Sequence, residues 1–190
     1  MIGQKLLQKL GLAIDRRYLK KTGAIPIPGS GERLLLVCFH AYHGPAPVIL
    51  PDQTNINPGD QVGELHLSNL RILEMGDENT GQSMEWRVIQ AVKKELSLLA
   101  RACQNGAIPE AVQGFYGVNV LPAGVKRLGF SLFALPKGWN RLWLGFWESF
   151  LRKVFYSFKT TKKVKLNRTN DPYEIWISRR EVLKRYLVEK

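Results

Sequence analysis

The chain has 190 residues, 45% hydrophobic and 23% charged, which suits one globular domain with a real core. Its net charge of +12 is uneven: residues 1–21 carry +5, residues 22–136 carry −2 and residues 137–190 carry +9. No apolar run approaches the roughly 18–20 residues needed to span a bilayer, and the longest, residues 34–39, is strand-sized.

In chain order, residues 1–22 are expected to form an N-terminal amphipathic helix, with Leu6, Leu7, Leu10 and Ile14 at helical intervals among cationic side chains. Lys5, Lys9, Asp15, Arg16 and Arg17 interrupt that segment, so it does not read as a signal peptide. Residues 23–31, with Pro26, Pro28 and three glycines, read as a loop. A single α+β domain is expected over residues 30–190. Residues 33–42 are dense in Leu, Val and Phe and predict a buried strand; a short strand near Val48 and a third over residues 61–69 follow. Their short connections predict an antiparallel meander.

Ile89, Val92, Leu96, Leu99 and Cys103 alternate steps of three and four behind Trp86, which predicts a helix facing the core. Asn105-Gly106 should stop it. Residues 115–121 and 128–135 flank Pro122-Ala-Gly124 and read as a hairpin. Residues 138–158 are aromatic and helical in period, with Trp139, Trp143, Trp147 and Phe150 on one stripe. Five Lys/Arg follow in residues 159–168. The last strand is expected over residues 173–177, and Ser178 with Glu181 predicts a capping box opening a terminal helix. The fold class is α+β: a mainly antiparallel sheet of five or six strands with helices packed on it.

The polar residues admit several chemistries. On the 61–69 strand Val62, Glu64, His66 and Ser68 share one face. Glu64 and His66 could act as a general acid–base pair, with Asp60, Asn69, Arg127 and Arg179 lining the same cavity to hold an anionic or sugar-like ligand. The plainer reading makes Asp60 and Asn69 turn caps at the two ends of the strand. His40-x-x-His43 has the letters of a metal site, and Glu64 with His66 could supply more ligands, but residues three apart on a strand face opposite ways, and no HExxH motif accompanies them. No metal and no cofactor are expected. There is no GxSxG elbow, P-loop or GxGxxG, and Cys38 and Cys103 lie outside any CxxC, as buried thiols in a reducing compartment would.

The basic flanks point to an anionic partner. A helix with Trp139, Trp143 and Trp147 on one face, followed by Lys159, Lys162, Lys163 and Lys165, has the pattern of an interfacial element on an anionic membrane. The alternative is that these rings are ordinary core. Nucleic acid is the weaker partner, because no RNP, KH, helix-turn-helix or zinc-finger pattern accompanies the basic tail.

Three ordered segments carry a family likeness: Ile56-x-x-Gly59-Asp60-x-Val62-Gly63-Glu64-Leu65-His66-Leu67-x-Asn69, then Arg127-Leu128-Gly129-Phe130-Ser131-Leu132 with Leu135-Pro136, then Glu174-x-Trp176-x-Ser178-Arg179 with Leu183 and Tyr186. From about residue 30 onward the chain resembles the YkoP-like family of Firmicutes, whose domains stand alone or are appended to polysaccharide deacetylases. The resemblance implies a setting among envelope polysaccharide enzymes but carries no activity with it, and the Asp-Asp and His-rich motif of a deacetylase is missing. The expectation is an accessory, non-catalytic protein of envelope polysaccharide or glycolipid metabolism, cytoplasmic and peripheral at the inner face of the membrane. An enzyme using Glu64 and His66 on a phosphorylated or glycosyl substrate is the competing expectation.

Overall fold

The computed structural model describes residues 19–77, 84–119, 122–134 and 173–187, together with Lys9, Leu12, Ala13, Arg16 and Arg17. The described residues between 9 and 22 are helical. In chain order there follow β1 (Ile25–Pro26), β2 (Leu35–Ala41), β3 (Val48–Ile49), β4 (Asn55–Ile56), β5 (Gln61–Leu67), α1 (Asn69–Asp77), α2 (Met84–Gln104), β6 (Gly114–Asn119), α3 (Pro122–Arg127), β7 (Ser131–Ala134), β8 (Tyr173–Ser178) and α4 (Arg179–Tyr186).

Six strands form one sheet in the order β1-β2-β5-β6-β8-β7. Every neighbouring pair is antiparallel except β5 and β6, which run parallel. That parallel step needs a crossover, and α1 and α2 supply it. The α+β class is therefore as the sequence predicts. Two strand pairings differ. The short strand at Val48 does not join a meander: it pairs with β4 in a separate two-stranded ribbon, and β2 pairs directly with β5. Residues 114–134 do not form a hairpin either. Pro122 opens α3, a position where proline's missing N–H costs nothing, and β8 inserts between β6 and β7.

The strands' two faces have different coverings. Leu35, Val37, Phe115, Ile175 and Ile177 point into the main core, where α2 contributes Val88, Val92, Leu96, Leu99 and Cys103 and α4 contributes Val182 and Tyr186. The predicted α2 stripe is thus correct except at its start, because Trp86 is 50% exposed. Gly63 is required on this face: a Cβ there would stand 2.6 Å from the Phe115 ring. On the opposite face the β3–β4 ribbon covers one end, burying Tyr42, Val48, Leu50, Ile56, Val62 and Trp176 in a second cluster. Elsewhere on that face Cys38 is buried, while the polar residues His40, Glu64, His66 and Tyr116 of β2, β5 and β6 are half-buried.

Candidate functional site

Strand alternation and register assemble this polar cluster. Cys38 and His40, two apart on β2, share a face, and the β2–β5 register sets Cys38 opposite Glu64 and His40 opposite Val62. The parallel β5–β6 register then sets Glu64 against Tyr116. Around Glu64 Oε2 lie His40 Nε2 at 3.2 Å, the Tyr116 hydroxyl at 3.3 Å and the Cys38 thiol at 3.9 Å. Tyr116 Oη is also 3.1 Å from His40 Nε2. The Tyr116 ring stacks on Trp176 with centroids 4.7 Å apart, and Trp176 donates its indole N–H to Glu174 at 3.1 Å. Buried aromatic packing therefore fixes the phenol's position.

The electrostatics disfavour nucleophilic chemistry. Burial, then the charge of Glu64 and its hydrogen bond from the S–H, together push the Cys38 thiol up to about 11. A thiol held protonated is a poor nucleophile. Cys103, the other free cysteine, is buried in the main core and also raised by burial, with Arg179 partly offsetting it.

The sequence-predicted site residues are dispersed. Glu64 and His66 do share a face, and the His40 imidazole stands in hydrogen-bond reach of Glu64. Asp60 closes the turn before β5: its carboxylate accepts from the Asn57 N–H at 2.7 Å, and Gly59 adopts φ +97° between Pro58 and Asp60. Asn69 lies at the start of α1, where Ser68 Oγ accepts from the Arg71 N–H at 3.3 Å. The predicted strand therefore ends at Leu67 and a helix takes over. Arg127 is exposed at the end of α3, whose Val125 packs into the helix-side core. Arg179 is a clamp: its guanidinium donates to the carbonyls of Cys103 at 2.6 Å, Pro109 at 2.9 Å, and Ile108 and Val112 at 3.4 Å. A cleft of about 510 Å³ lies between the Asp52 turn, β7–β8 and α4, and Glu64 and His66 are not among its lining residues. Trp139, Trp143, Trp147, Lys159, Lys162, Lys163 and Lys165 lie outside the described residues.

Two participants escaped the sequence reading, Cys38 and Tyr116, and His40 entered it beside Glu64 only as a metal-ligand candidate that was set aside. The signal was present in the alternation of β2, which puts Cys38 and His40 on one face. The comparison of His40 with His43 obscured it. The strand stops at Ala41, so alternation does not govern His43, and the two imidazoles stack with centroids 6.2 Å apart.

Fold and site together define a small α+β domain with a Cys–His–Glu–Tyr cluster, its cysteine buried and the other three half-buried, on the less covered face of its sheet. The YkoP domain family matches residues 4–186, and the chain belongs to that family. It is 25% identical over 158 residues to the uncharacterized protein YkoP of Bacillus subtilis (strain 168), a match covering 81% of this chain and 80% of that protein. No solved structure matches the chain. Among the described residues no helix is long and apolar enough to cross a membrane.

Proposed function

We propose that this chain is an accessory, non-catalytic protein of cell-envelope polysaccharide or glycolipid metabolism, acting at the cytosolic face of the membrane. The observation that carries the non-catalytic part is the condition of Glu64. One carboxylate oxygen meets His40, Tyr116 and Cys38 together, so the group is held by its neighbours rather than left to exchange a proton with a substrate. A general base needs the reacting proton within hydrogen-bond reach, and Arg179, expected to hold an anionic substrate, is engaged with backbone carbonyls instead.

The membrane part is supported by charge. Basic flanks of +5 and +9 enclose a near-neutral middle, and each Lys or Arg near an anionic bilayer adds about 1 kcal/mol. The envelope setting is an inference supported by the family resemblance alone. The test is co-sedimentation of the full chain with phosphatidylglycerol vesicles and with phosphatidylcholine vesicles at low and high salt. Binding to the anionic vesicles alone, weakened by salt, is expected. Indifference to both vesicle types at low salt overturns the membrane part.

A further inference from the structure

We propose that Cys38, His40 and Glu64 form a binding site for one divalent cation of the zinc class. The proposal goes beyond the function proposed above and does not rest on it.

Geometry is the first support. One ligand atom from each of the three residues lies within 4.8 Å of the others. Glu64 Oε2 stands 3.2 Å from His40 Nε2 and 3.9 Å from Cys38 Sγ. Zinc bonds of about 2.0–2.3 Å at tetrahedral angles separate neighbouring ligand atoms by roughly 3.3–3.7 Å. These two separations are therefore close to the ligand-to-ligand edges of a tetrahedral site. Two adjacent antiparallel strands hold them there in fixed register. The His40 and Glu64 side chains are 31% and 28% exposed, which leaves an ion a path in.

The orientation of the imidazole is the second support. His40 Nδ1 lies 2.8 Å from the Ala41 carbonyl oxygen, which can only accept, so Nδ1 faces the backbone and Nε2 is turned toward Glu64 Oε2 at 3.2 Å. A bond from Nδ1 to a backbone carbonyl is the outer contact that orients metal-binding imidazoles.

Donor chemistry sets the metal. One sulfur, one nitrogen and one oxygen suit zinc, and exclude magnesium or calcium, which take oxygen ligands. The metal binds the thiolate, so the Cys38 proton now directed at Glu64 is released to solvent as the Zn–S bond forms. Three protein donors leave a fourth position beside the Tyr116 hydroxyl for water or an anionic group of a ligand.

The test uses the full chain, stripped with chelator, equilibrated with zinc, desalted and analysed for metal, with a parallel titration by Co²⁺. One zinc per chain is expected, with a thiolate-to-cobalt charge-transfer band in the near ultraviolet. Cys38→Ser should remove the band, and Glu64→Gln should weaken zinc binding by at least about tenfold, both with the wild-type circular dichroism spectrum. Folded wild-type chain that retains no zinc overturns the site. So does a cobalt band that survives in folded Cys38→Ser, since the thiolate would then be that of Cys103. Should Cys38→Ser fail to fold, the wild-type metal content and Glu64→Gln decide the matter.

Discussion

The Ser178 hydroxyl donates a hydrogen bond to Asp52 Oδ2 at 2.5 Å and accepts one from the Glu181 N–H at 2.8 Å. One side chain thus closes the capping box of α4 and ties that helix start to the turn leading into β4. Burial alone raises the Asp52 carboxyl, but the hydrogen bonds from Ser178 and Thr54 and the nearby Arg180 outweigh it, and the net shift is downward. A lowered carboxyl contributes stability above its unfolded value and loses it as pH falls through the folded value. Ser178→Ala should cost about 1–2 kcal/mol in urea unfolding at neutral pH, from the lost cap and the lost bond to Asp52. The gap to wild type should narrow in acid. A gap that stays constant through the acid range contradicts the role given to Asp52.

That relationship also separates what the sequence made legible from what it did not. Ser178 and Glu181 sit three apart, and a local motif of that kind can be read directly. The contact to Asp52 spans 126 positions and depends on where the β3–β4 ribbon folds over the sheet, which no local pattern encodes. The same distinction explains the site. The common face of Glu64 and His66 follows from strand period alone, whereas the meeting of Glu64 with His40 and Tyr116 follows from which strands are neighbours. The hairpin expectation failed for that reason: Phe115 and Leu132 lie on strands close in sequence, but β8 arrives from the far end of the chain to separate them. Arg179 looked like a ligand-binding cation because a clamp on backbone carbonyls leaves no mark in the sequence.

Arg179→Ala should act on stability. Removing a guanidinium that donates to four carbonyls around the end of α2 should destabilise the fold by about 2–3 kcal/mol, the scale of charge-assisted hydrogen bonds. Lysine, a point charge without the planar fork, should restore only part of this. Thermal unfolding of both variants measures it. An alanine variant as stable as wild type would return Arg179 to the list of ligand-binding residues.

Glu95 is 2% exposed on α2 and accepts from Ser30 Oγ at 2.5 Å and the Leu34 N–H at 3.3 Å, both at Oε1. Its Oε2 is buried with no hydrogen-bond partner among the described residues. Burial raises this carboxyl, Ser30 and Leu34 lower it in part, and the net shift is upward. Its contribution is fully present below the ordinary glutamate value of about 4.3 and is lost as pH rises through the folded value. Glu95→Gln keeps an oxygen for Ser30 and Leu34 but cannot ionise. Its stability relative to wild type should therefore grow as pH rises from acid to neutral, measured by urea midpoints. A difference independent of pH would show that Glu95 titrates normally.

Gly63→Ala probes how closely β5 and β6 pack. The new methyl would stand 2.6 Å from the Phe115 ring and 3.2 Å from a Val37 methyl, both in the core. Fully buried Phe115 has no free space to move into, so the strands must separate locally. A loss of about 1–3 kcal/mol is expected, as for other overpacked cores. Pairing the change with Phe115→Leu should recover part of the loss, and a double variant no better than the sum of the two would argue against a direct clash.

The final prediction concerns residues whose role rests on sequence alone. If Trp139, Trp143 and Trp147 meet lipid, each buries an apolar ring and keeps its indole N–H at the polar interface. Lys159, Lys162, Lys163 and Lys165 then add attraction to anionic head groups that salt screens. Changing the three tryptophans to alanine should abolish sedimentation with phosphatidylglycerol vesicles while the circular dichroism spectrum and unfolding midpoint stay near wild type. Rings that instead belong to the core would cost about 3–5 kcal/mol each on truncation, and the triple variant would not fold. The two readings thus give opposite results in a single pair of measurements. An unfolded triple variant, together with a wild-type chain that ignores vesicles, would remove the membrane from the account of this protein.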